Sequence, residues 1–153
     1  METTIYSASD LANRRREFLD EARRGAAHLR DTDGTGLVMV PASLLAVLTE
    51  LRNWLARDLN LERVLGRPFR ERQPLEFGDL AWLSHFDDGD QQEFHQELHE
   101  ALVLSLASDT IQPVNQCVAD WKRTAQALAD PTRRDILMGE VKEGEFEEVG
   151  RPV

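Results

Sequence analysis

His95 and His99 stand four residues apart in a stretch with helical period, the spacing that lets two imidazoles reach one metal ion. Glu93, Glu97 and Glu100 lie nearby, so a helical metal-dependent enzyme using His95 and His99 is one functional reading. The zinc-protease pattern needs a glutamate directly after the first histidine to act as base, and Gln96 occupies that place. No third ligand is marked. Asp87-Asp88-Gly89-Asp90 has the composition of a calcium loop but not its layout, which puts glycine sixth and a bidentate glutamate twelfth. It reads instead as a turn and helix cap. Gly34-Thr35-Gly36 lacks the third glycine and the following helix that would present backbone amides to a phosphate. Cys117 has no histidine close in sequence and sits in an amphipathic pattern, as a core thiol would. His28 is isolated on the outward side of a short strand pattern. No Gly-x-Ser-x-Gly elbow occurs. These residues define no catalytic constellation, and they call for no cofactor.

Arg14, Arg15 and Arg16, followed by Arg23 and Arg24, offer different chemistry. Along one helix edge their guanidinium groups can neutralise phosphates. Glu17, Asp20 and Glu21 stand at the three- and four-residue spacings of surface ion pairs, so the same arginines can be satisfied within the helix. On charge alone the ion-pair reading is favoured, and a dimer, which would double the positive edge, would shift the balance towards phosphates.

The elements that position these groups follow from pattern. Thr4-Ile5-Tyr6 is strand-prone, and Ser9 or Asp10 can cap a helix with Leu11, Phe18, Leu19 and Ala22 on one face, ended by Gly25. Ala27 and Leu29 alternate with His28 and Arg30 as a short half-buried strand. Asp31-Thr32-Asp33-Gly34 is a hairpin turn, and Leu37 to Val40 returns as a second, more buried strand. Pro41 opens a helix over 42–59 with Leu44, Leu45, Leu48, Leu51 and Leu55 inward. Val47 and Trp54 widen its apolar face enough that part of it should meet a second chain. Gly66 to Pro74, with one glycine and two prolines, is the expected boundary. After it come a short helix holding Leu75, Phe77, Leu80, Trp82, Leu83 and Phe86, then a helix capped by Asp90 and Glu93 with Phe94, Leu98, Ala101 and Leu102 inward. Another follows with Ile111, Val114, Val118, Trp121, Ala125 and Leu128, then a last short one from Asp130-Pro131 through Leu137. A polar tail from about 139 is expected to be disordered when alone.

The 153 residues and 17.4 kDa fit one domain with an appended partner-binding segment. The apolar run from Gly36 to Leu48 is too short to cross a membrane, and Pro41 interrupts it. Met1-Glu2-Thr3-Thr4 lacks a leader's basic and apolar regions. A single cysteine forbids an intrachain disulfide, so the expected location is the cytoplasm. The net charge of −10 is a poor global match to nucleic acid, but it is unevenly spread. Residues 1–55 carry 7 arginines against 8 acids, whereas the 49 residues from Gln73 to Trp121 contain 10 acids and no lysine or arginine. Two regions with different electrostatic roles follow.

Ile5-Tyr6-Ser7-Ala8 leading into Asp10-Leu11-Ala12-Asn13, termination at Gly25, the strand through Leu29-Arg30, Gly34, and Leu37-Val38-Met39-Val40-Pro41 before a leucine-rich helix together resemble the Phd/YefM (prevent-host-death) family of type II antitoxins. Asp120-Trp121-Lys122-Arg123-Thr124-Ala125 and Leu128-Ala129-Asp130-Pro131 are similar to an extension found in some bacterial members. The resemblance implies an α+β fold: a small amino-terminal β-α-β-β-α dimerisation module at residues 1–62, then an acidic α-helical toxin-binding region at 63–153. It implies a homodimer whose first helices and sheet face operator DNA, and a carboxy-terminal region that neutralises a cognate protein toxin. Leu11 and Asp31 stand where members often carry arginine, with Arg14 and Arg30 as nearby substitutes. The expected DNA-binding residues are therefore Arg14, Arg15, Arg16 and Arg30. The expected toxin-binding residues are the exposed-looking aromatics Phe77, Trp82 and Phe86, together with Trp121, unless the tryptophans belong to a folded core. A stand-alone regulator or adaptor without a toxin is the third reading.

Overall fold

The computed structural model describes residues 2–132 and shows a mixed α and β chain, mostly helical, with one three-stranded sheet. By internal contacts it divides into Met1–Asn53 and Trp54–Val153.

In the first unit β1 (Ile5–Ser7) pairs in parallel with β2 (Ala27–Arg30), and β2 pairs antiparallel with β3 (Gly36–Met39). The register sets Tyr6 opposite Leu29 and Ala27 opposite Met39, so Tyr6, Ala27, Leu29, Leu37 and Met39 share one face. Between β1 and β2 the expected single helix is two, α1 (Asp10–Asn13) and α2 (Arg15–Arg24), because Arg14 leaves helical geometry at φ −124°, ψ 31°. Neither Ser9 nor Asp10 caps a helix amide with its side chain. The Asp10 carboxylate turns back to accept from the Ser7 N–H at 2.8 Å and the Ser7 hydroxyl at 2.7 Å, and the backbone bond is the main reason its pKa is lowered. Phe18 and Ala22 of α2 pack with Tyr6 and Ala27 as a four-residue core, with Leu11, Leu19 and Leu29 at its margin. Tyr6 meets Phe18 edge-on at 5.2 Å.

The turn into β3 is closed by the Gly34 N–H donating to the Asp31 carbonyl at 3.0 Å, and Gly34 supplies the positive φ of 90° that a side chain would resist. β3 corrects an expectation. Like β1 it is an edge strand, but it contributes nothing to the core, and all four of its residues are exposed rather than buried.

The following helix, α3 (Ala42–Leu65), runs past the expected end at Leu59. Its leucine stripe is not uniformly inward: Leu51 is buried, whereas Leu45, Leu48 and Leu55 are exposed. The division of the chain falls between Asn53 and Trp54, within α3, and not at residue 62 or in the proline-rich stretch. The reason lies in packing: Leu61, Val64 and Leu65 are buried core residues of the second unit.

That stretch is not a free linker either. Arg72, whose side chain is 5% exposed, donates to the Leu65 carbonyl at 2.8 Å, the Arg67 carbonyl at 3.0 Å and Gln91 Oε1 at 3.0 Å, and pairs with Asp88 at 2.6 Å. Gln91, itself buried, donates to the carbonyls of Leu83 and Phe86. The next segment, Pro74–His85, is a 3₁₀ run kinked at Gly78 (φ 56°), not an α-helix. α4 (Asp88–Ser108) begins at Asp87, whose carboxylate accepts from the Asp90 N–H at 2.9 Å, so the cap lies three residues before the expected Asp90. α5 (Gln112–Ala129) packs on α4. The short helix expected from Pro131 through Leu137 lies, from 133 on, outside the described residues, as does the tail from 139.

Candidate functional site

Three groups of side chains carry possible chemistry, one in the first unit and two in the second. At the break before α2, Arg14 is already engaged: it pairs with Glu17 at 2.6 Å and lies 5.2 Å from the Tyr6 ring centroid, and the Glu17 contact raises its pKa. Arg23 pairs with Asp20 at 2.7 Å. Arg15, Arg16 and Arg30, by contrast, have no hydrogen-bond or ion-pair partner among the described residues. Arg15, Arg16 and Arg23 line one shallow cleft of about 470 Å³ with Leu19 and Asp20. Arg30 is not in that cleft; it stands at the end of β2 opposite Gly36. Of the four arginines expected to face DNA, the structure brings Arg15 and Arg16 together, ties Arg14 down and sets Arg30 apart.

In the second unit the aromatic residues are largely core. Phe77 and Phe86 are buried, which corrects the expectation that they are exposed anchors. Trp82 is half-buried, edge-on to Phe94 at 5.1 Å and Phe86 at 6.4 Å, and its buried indole N–H has no acceptor among the described residues. Trp121 is half-buried at the margin of the same cluster, 5.3 Å from Phe86 and 5.8 Å from Phe94. Its indole N–H donates to Glu97 Oε2 at 2.6 Å. Beside it lies a cleft of about 370 Å³ between α4 and α5, with Phe86, Trp121 and Leu128 on its apolar side and Asp90, Glu97 and Asp120 on its acidic side. Burial, then the neighbouring Asp87 charge, raises the pKa of Asp90. Cys117 is pushed up to about 11, chiefly by burial and then by Glu97 and Asp120, so it is a poor nucleophile near neutral pH.

His95 and His99 both face Asp58, which is 5% exposed. His99 Nδ1 is hydrogen-bonded to Asp58 Oδ2 at 3.2 Å, while His95 Nε2 lies 3.2 Å from Oδ1 without hydrogen-bond alignment. The pair therefore spans from α4 to a carboxylate on α3. Among the described residues no group of three or more His, Cys, Asp or Glu has an arrangement that could hold a metal ion.

Asp58, Arg72 and Gln91 are the polar residues that sequence reasoning missed. Asp58 had a signal: it stands seven residues after Leu51 and three before Leu61, on the buried stripe of α3. No described helix is long and apolar enough to cross a membrane. No family model, no curated protein and no solved structure matches the chain.

Proposed function

We propose that this chain is a type II antitoxin of the prevent-host-death kind, which neutralises a cognate protein toxin through its acidic helical region and dimerises through its amino-terminal module. The observation that carries the reading is the unfinished state of that module. Its order is β1, α1, α2, β2, β3, α3, and Leu37, Val38, Met39, Leu45 and Leu48 are all 44–59% exposed. Leu37 and Met39 on one face of β3, with Leu45 and Leu48 of α3, are more exposed apolar surface than scattered exposure explains, and a second copy of the module covers it at no polar cost. The unpartnered Arg15 and Arg16 suit the operator-binding half of the reading, doubled by the dimer. The acidic surface after residue 73 suits a basic toxin.

The test is expression of the full chain with the product of the adjacent gene, followed by copurification and growth rescue. The reading expects a stable complex and restored growth. Growth arrest that persists with both proteins present overturns it. Sedimentation at micromolar concentration supplies the second arm, where a clean 17.4 kDa species rejects the dimer.

A further inference from the structure

We infer that the cleft between α4 and α5 receives an arginine side chain projecting from a basic protein partner. The inference rests on the proposed toxin-binding role only in taking that partner to be the toxin. The apolar wall is held rigidly: Trp121 is set edge-on against Phe86 and Phe94, and its indole N–H is fixed on Glu97. A half-buried, immobile indole beside carboxylates is what a guanidinium group uses, stacking its plane on the ring while its N–H fork reaches the oxygens.

The acids differ in their readiness. Asp120 already accepts from Gln116 at 2.9 Å and pairs with Arg123. Glu97 is bonded to the indole through one oxygen only, leaving the other for a donor. The Asp90 carboxylate has no hydrogen-bond or ion-pair partner among the described residues, and burial disfavours its charge. A cation entering the cleft relieves that cost. Glu97 and Asp120 also add, after burial, to the upward shift of the neighbouring Cys117. Charge complementarity thus selects a cation, and the ring selects a planar one over the compact, strongly hydrated ammonium of lysine.

The experiment titrates the full-length protein with three blocked peptides, Gly-Gly-Xaa-Gly-Gly, in which Xaa is arginine, lysine or the neutral isostere citrulline, and follows the indole N–H signals by NMR. Arginine is expected to move the Trp121 signal saturably, lysine more weakly and citrulline not at all. The Asp90→Asn/Glu97→Gln variant, which keeps the shape of the cleft, is expected to lose the arginine response with its melting temperature nearly unchanged. Equal responses to arginine and citrulline, a response that survives the double substitution, or no shift of Trp121 overturns the inference.

The adjacent gene product separates this from the parent proposal. If that protein binds the chain but Asp90→Asn/Glu97→Gln leaves the affinity within about twofold, where loss of a charge-assisted contact predicts about tenfold or more, the cleft is not its seat and the antitoxin reading stands. If the arginine peptide binds at Trp121 and the adjacent product does not associate, the cleft stands and the antitoxin reading falls.

Discussion

Met1–Asn53 and Trp54–Val153 solve the problem of a core differently. The first rests on Tyr6, Phe18, Ala22 and Ala27, and leaves its third strand bare. A unit of 53 residues is near the size at which one small core is marginal. The second buries residues from every described element between Leu61 and Ala125 that is longer than one turn, including Leu61, Leu83, Phe94, Leu98 and Val114. The contrast teaches that exposed apolar surface is informative where the core beneath it is thin. Val103 on α4 is as exposed as Val38 on β3, but α4 has a filled core on its other face whereas β3 contributes to none.

Spectroscopy can test the contrast, because the single tyrosine, Tyr6, lies in the first unit and all three tryptophans lie in the second. The largest effect is expected from Phe94→Ala, which empties the best-buried site and should cost about 3–5 kcal/mol in the tryptophan-detected transition. Loss of less than about 1 kcal/mol would mean that the second unit is not the independent core described. Arg72→Met should cost roughly 3 kcal/mol in the same transition, since the Leu65 and Arg67 carbonyls and Gln91 Oε1 lose their donor.

Next comes Leu45→Glu with Leu48→Glu. The tyrosine-detected midpoint of the natural chain should rise with protein concentration, as an associating species requires, and this dependence should vanish in the double variant. A concentration-independent midpoint in the natural chain would break the comparison. Smaller still is the effect on the proposed operator binding, whose salt slope Arg15→Ala with Arg16→Ala should lower by about 0.9 log unit per lost phosphate contact, and Arg14→Ala by less. The smallest effect concerns Cys117. The pKa is raised from 9.0 to about 11 in the folded chain, so the folded state keeps a proton that the unfolded state gives up. Its contribution is full below pH 9, declines as pH rises and is gone above about 11. Cys117→Ala should flatten the stability profile in that window, read from chemical denaturation at several pH values.

Much of the fold was legible because its local chemistry is unambiguous. Ala27 to Arg30 alternates, Asp31 to Gly34 turns, and Phe94, Leu98, Ala101 and Leu102 recur at helical spacing; each is found as expected. The misreadings share one cause: periodicity reports which residues are apolar, not whether anything covers them. Leu37 to Met39 looked buried for that reason, and Phe77 and Phe86 looked available because their segment is not amphipathic. The break at Arg14 was hidden because arginine is a good helix former, and only the return of Asp10 to Ser7 marks the irregular entry. Of the candidate sites, the arginines were visible by type, but their pairing was decided by rotamers that spacing leaves open. The cleft beside Trp121 joins α4 to α5 across 24 residues between Glu97 and Trp121, beyond the reach of local pattern.

The clamp made by Arg72 also decides where the chain can be cut. A protease that cleaves after arginine finds two usable bonds between Gly66 and Pro74, after Arg70 and after Arg72, because Pro68 blocks the bond after Arg67. Such an enzyme must draw the side chain into its own pocket and the flanking backbone into an extended strand. Arg72 would have to leave two carbonyls, Gln91 and Asp88 to comply. Arg70 is exposed and has no hydrogen-bond or ion-pair partner among the described residues. Limited digestion should therefore nick this stretch first after Arg70, with Arg72 opening only as the second unit unfolds. A segment composed like a hinge is thereby kept as a strap.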